Sequence, residues 1–127
     1  MKAPLVDLSF VISMSDNDPN YIYEVINLFL ENVPDAVTKL EQLVRKTNDF
    51  EAIQKQAHML KSSANVIKVR GMYDDLVAME ALARQASGKE KIVTLLENVL
   101  INFNEALPVL LAEKEKNKPG TKAKAKK

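Results

Sequence analysis

The stretch FEAIQKQAHMLKSSANVI, residues 50–67, places apolar side chains at Phe50, Ile53, Ala57, Leu60, Ala64 and Ile67, a spacing of 3-4-3-4-3. A strand returns to the same face every second residue. This interval instead returns to one side of an α-helix and predicts a narrow seam turned toward partner helices. Asn48 and Asp49 stand before it as capping side chains. The helix is expected to run to about residues 69–71, because Gly71 tolerates the left-handed backbone that closes a helix.

The same periodicity extends in both directions. Upstream, Ser15 to Asp18 offer capping groups and Pro19 suits a first helical turn. From there Ile22, Val25, Ile26, Phe29, Leu30, Val33, Val37, Leu40 and Val44 keep one apolar stripe to about Lys46, passing Pro34, where a kink or a restart is expected. Downstream, Met72, Leu76, Met79, Leu82, Ala83 and Ala86 predict a third helix closed by Ser87 and Gly88. Ile92, Leu95, Leu96, Val99, Phe103, Leu107 and Leu110 predict a fourth. With a short extra N-terminal helix over residues 6–14, the expected class is all-α, an antiparallel four-helix bundle.

Composition narrows the chemistry. The 127 residues are 46% hydrophobic and 28% charged, suited to one soluble core and too few for two. Cysteine is absent, which excludes disulfides, thiolate metal sites and a cysteine nucleophile. His58 is the only histidine, so no metal site is expected. No segment reads as a signal peptide or a run of apolar residues long enough to span a bilayer, and a cytoplasmic location away from membranes is expected. Residues 118–127, KPGTKAKAKK, hold five lysines and no acid, which leaves residues 1–117 with 13 basic and 17 acidic groups, a net of −4. The expected division is therefore a bundle over 1–117 and a disordered basic tail over 118–127.

With Ala57 at zero on a helical wheel, the seam lies near −30° and His58 near +100°, away from the core. Its neighbours one turn away, Gln54, Lys55, Lys61 and Ser62, are polar, with Glu51 and Asn65 on the same flank. Met59 and Val66 are expected beside this strip as an apolar patch on which a partner docks. An exposed imidazole is nucleophilic when neutral, and the Lys61 ammonium one turn further on suits a doubly charged phosphoryl group. Ser62 is small enough to let a partner close over the ring, and Ser63 is expected to face a neighbouring helix.

The run Ala57-His58-Met59-Leu60-Lys61-Ser62-Ser63-Ala64 resembles the signature A-H-x-L-K-[GS]-[SA] of histidine-containing phosphotransfer (HPt) domains. Asp18-Pro19, Leu28-Phe29-Leu30-Glu31 and Pro34 resemble the first bundle helix of that family, and Asp49-Phe50-Glu51-Ala52 the entry to its histidine-bearing helix. Leu76 and Met79-Glu80-Ala81-Leu82-Ala83-Arg84 resemble its L-x-x-x-E-x-x-A segment. The likeness covers about residues 5–112; Ser62 stands where many members have glycine, and Lys68 where glycine often follows ten residues after the histidine.

The resemblance implies a phosphorelay intermediate and no ATP-dependent kinase. By that likeness His58 would accept a phosphoryl group from a receiver-domain aspartyl phosphate and pass it to another receiver aspartate. Lys61 would steady the phosphoryl charge, and Gln54, chosen from helix geometry, would donate a hydrogen bond to it. Lys55, Met59, Ser62, Asn65 and Val66 would meet the partner, a receiver domain of a response regulator or hybrid histidine kinase. No cofactor of the chain's own is implied, Mg²⁺ being supplied by the receiver, and the chain is expected to be a monomer. Two other readings remain: a helical adaptor that binds receivers without transfer, which has no need of His58, and a nucleic-acid-binding bundle using the tail, which the acidic body disfavours.

Overall fold

The computed structural model describes residues 5–119. In chain order these form β1 (Val6–Asp7), α1 (Ser9–Ser15), α2 (Pro19–Lys46), α3 (Phe50–Ala64), β2 (Lys68–Val69), α4 (Met72–Arg84) and α5 (Lys89–Lys116). Each of the four longer helices packs on two others, α2 on α3, α3 on α4, α4 on α5 and α5 on α2, so they close a ring around one core. The short α1 rests against α2. The class is all-α, as the periodicity predicts.

The stripes supply the core. Ile22, Ile26, Phe29, Val33, Val37, Leu40 and Val44 of α2 are buried against Ile53, Ala57, Leu60 and Ala64 of α3 and their counterparts on α4 and α5. Phe29 and Phe103 meet at 6.3 Å between ring centroids with a tilt of 44°, fixing α2 against α5. By length and composition α5 is apolar enough to cross a membrane, yet Ile92, Leu96, Val99, Phe103, Ala106 and Leu110 are buried among the other helices as core.

Caps fall where short polar side chains precede the stripes. Asp18 accepts from the Asn20 N–H and Asp49 from the Ala52 N–H, each satisfying a donor that the first turn leaves free. Between α4 and α5 the chain turns through Ala86 and Gly88, both left-handed, at φ of 53° and 72°. The Lys89 ammonium then ties α5 to the α2–α3 connection, donating to Thr47 O and Asn48 Oδ1, both at 2.7 Å.

Four expectations need correction. Helix α3 ends at Ala64, well before residues 69–71, because Val69 and Lys68 pair antiparallel with Val6 and Asp7 and the turn between uses Asn65 and Val66. The β-branched Val66, Ile67 and Val69 favour this extended exit, and Ile67 is still buried, from the turn. Residues 6–14 are accordingly part strand and part helix. Of the kink or restart expected at Pro34, the restart does not occur, since α2 runs unbroken through it; Val33 and Val37 are both buried on one stripe, and that packing outweighs the backbone hydrogen bond proline lacks. Ala86 lies beyond α4, exposed, and contributes nothing to the core. The basic tail lies, from residue 120 onward, outside the described residues.

Candidate functional site

His58 sits midway along α3, directly after two buried residues that fix its outlook. Ala57 is wholly buried in the seam, and Gln56, 5% exposed, donates through Nε2 to the Ala36 carbonyl of α2 at 2.9 Å. With the helix held on those two residues, the next position turns outward, and the His58 side chain is 62% exposed.

One buried carboxylate organises its surroundings. Glu80 of α4, with a side chain 6% exposed, reaches across to α3. Its Oε2 lies 2.9 Å from His58 Nδ1, and the same oxygen accepts from Arg84 Nη2 at 3.1 Å. Its Oε1 accepts from Lys61 Nζ at 2.8 Å. The Lys61 hydrogen bond holds the Glu80 carboxyl below the usual carboxylate range; burial pushes the other way, and the His58 contact adds to the lowering. An ionised carboxylate only accepts, so Nδ1 carries the ring proton and Nε2 of the neutral ring keeps its lone pair free. With Nδ1 turned to Glu80, it is the Nε2 side of the exposed imidazole that a reactant could approach.

The expected site residues divide among three surfaces. Gln54, Lys55 and His58 line one concavity with Glu80 and Arg84. Val66, which is in the turn after α3 and not on its helical face, lines an apolar groove with Val25, Leu28, Phe29, Asn32, Val33 and Ser63. Ser63 does face the neighbouring α2, as expected. Asn65 opens instead on a hollow beside the β1–β2 pair, lined by Asp7, Lys68, Arg70, Tyr73 and Asp74. Met59 and Ser62 are exposed on α3. Lys61 is less open than expected, its side chain only 25% exposed and drawn to Glu80. Among the described residues no group of three His, Asp or Glu side chains is placed to hold a metal ion.

Sequence reasoning missed Glu80 and Arg84 as members of the site. Glu80 stood in the quoted run Met79 to Arg84, but only its burial beneath His58, 22 residues away in sequence, gives it a role. Two signals were available: Glu80 is the acid of the L-x-x-x-E-x-x-A resemblance, and the spacing of four between Glu80 and Arg84 places an acid and a base one turn apart.

A ring of helices that offers one solvent-facing imidazole, its second nitrogen held from beneath by a carboxylate, is an arrangement suited to carrying a group on histidine. The family model of the Hpt domain matches residues 24–113. The chain belongs to that family, and its general role is histidine phosphotransfer in a phosphorelay. No curated protein matches the chain, and neither does any solved structure.

Proposed function

We propose that His58 accepts a phosphoryl group from the aspartyl phosphate of one receiver domain and delivers it to the aspartate of another. The observation that carries this is the Nδ1 contact to Glu80, which leaves the lone pair of Nε2 facing solvent. In the forward step that lone pair forms the N–P bond while the P–O bond to the donor aspartate breaks, its electrons leaving on the carboxylate oxygen. Nδ1 keeps its proton, and the positive charge gained by the ring lies against ionised Glu80. The reverse step regenerates the neutral ring.

Phosphoryl transfer of this kind asks the carrier for position and charge more than for covalent chemistry. Lys61 supplies positive charge next to the ring, and Gln54, in the same concavity as His58, offers an amide donor to a phosphoryl oxygen. The receiver brings its own Mg²⁺, and the chain acts as carrier with no kinase activity. The receiver docks over Met59 and Ser62 toward the apolar groove that Leu28 and Val66 line, with Lys55 and Asn65 at the rim; Leu28 is 54% and Met59 51% exposed, large apolar groups that burial against a partner would remove from water.

The test is incubation with a panel of phosphorylated receivers, following which ones lose label. The label gained should be acid-labile and stable in base, as a phosphoramidate is, and absent from His58→Gln. Label retained by that variant, or label that survives acid, refutes the proposal.

A further inference from the structure

Three cations surround His58, and the structure holds each differently. Lys55 is 3.7 Å from Glu51, with both side chains more than three-quarters exposed. Lys61 is one-quarter exposed and bound to Glu80 Oε1 at 2.8 Å. Arg84 is 60% exposed and makes the longest of the three bonds to Glu80, 3.1 Å, on the oxygen that also meets His58 Nδ1. Since both groups bond one oxygen, Arg84 Nη2 and the imidazole cannot lie further apart than those two bonds end to end. Arg84 also lines the concavity in which His58 lies, whereas Lys61 does not.

We propose that Arg84 is the phosphoryl-binding cation of this site, turning from Glu80 Oε2 to a phosphoryl oxygen as phosphorus bonds to Nε2 of His58. The assignment rests on His58 being the phosphoryl acceptor. A guanidinium presents five N–H donors in a planar fork and suits phosphoryl oxygens, so Arg84 engages the new group with donors it does not use at rest. Its release leaves no buried charge unpaired, because Glu80 keeps Lys61 on Oε1 and the Nδ1–H on Oε2. Before transfer, Glu80, Lys61 and Arg84 sum to one positive charge; the arriving phosphoryl group is a dianion, and of the two cations bound to Glu80 it is Arg84 that has the weaker hold and the place in the concavity, while Lys55, which lines that concavity too, pairs with Glu51 and has no such tether to the oxygen beneath the ring. The phosphoryl group would then be clasped between α3, which supplies the nucleophile, and α4, which supplies the guanidinium.

The experiment uses the full chain and phosphoramidate, a small donor that needs no docking surface. Nε2 attacks its phosphorus, the P–N bond breaks and ammonia leaves. Wild type, Arg84→Ala and Arg84→Lys are compared for the rate of phosphorylation and for the ³¹P titration of the phosphohistidine, with far-UV circular dichroism to verify the fold. Arg84→Ala should be phosphorylated about tenfold more slowly. Its phosphoryl group should titrate at higher pH than in wild type, since a nearby guanidinium favours the dianion. Arg84→Lys keeps the charge and should recover part of both effects. Arg84→Ala reacting at the wild-type rate with an unmoved titration overturns the assignment to Arg84 alone. Wild type that takes no label on His58 overturns it together with the acceptor role.

Discussion

Glu80→Gln keeps the volume of a buried side chain and removes its charge, so it isolates what the carboxylate contributes. The Lys61 contact, part-buried and 2.8 Å long, is the main loss, about 1.5 to 3 kcal/mol before offsets. Arg84 and His58 are each 60% exposed or more, so water screens their share to under about 1 kcal/mol together. Relief from desolvating the carboxylate offsets part of this, leaving a net loss of about 1 to 2 kcal/mol, or a fall in Tm of roughly 4 to 10 °C at neutral pH. The pH dependence carries the sharper sign. The carboxyl of Glu80 is held low in the folded state, chiefly by Lys61. Its stabilisation is therefore complete above the ordinary glutamate pKa of about 4.3 and is lost as pH falls through the depressed folded value. Urea midpoints of wild type and Glu80→Gln should differ at pH 7 and converge in acid. A second readout is the ¹⁵N spectrum of the His58 ring at a pH where it is neutral: protonated Nδ1 and bare Nε2 in wild type, a mixture of tautomers in the variant. A stability gap that stays constant from neutral pH into acid, or a variant as stable as wild type at pH 7, refutes the account of Glu80 as an ionised hub.

Lys61→Ala should cost about 1 kcal/mol of stability, more than an exposed lysine would, because it leaves the buried Glu80 oxygen short of its best donor; thermal melts at pH 7 measure this. Leu28→Asp and Val66→Asp should each weaken receiver binding at least tenfold in a titration while helix content is unchanged, since both line the groove from exposed positions, and Ser62→Trp should obstruct approach to His58 from the same side. Gly88→Ala should lower stability by about 1 to 2 kcal/mol, seen as a lower urea midpoint, because φ is 72° there and the added Cβ would come 2.9 Å from Leu82 Cδ2.

The spacing of apolar residues alone was enough to determine the class of this protein. Four stripes at intervals of three and four admit no fold but packed helices, and the phase of His58 against Ala57, Leu60 and Ala64 places it outside because a helix has one fixed pitch. The helix starts at Asp18 and Asp49 were legible for a similar reason, since capping depends on side chains within three residues. Interactions between residues distant in sequence were not legible. Where α3 ends depends on Lys68 and Val69 pairing with Val6 and Asp7, about sixty residues away, and no local propensity reports that. Whether Val66 belongs to the α3 face or to a groove with Leu28 follows from that same early exit. The site was divided likewise: the exposed histidine was readable from its helix, but its tautomer is set by a carboxylate that α4 carries beneath it. Glu80 in isolation is an ordinary acid in a helix. Only packing of α4 against α3 buries it, gives it three donors, and turns Nε2 of His58 to solvent with its lone pair free.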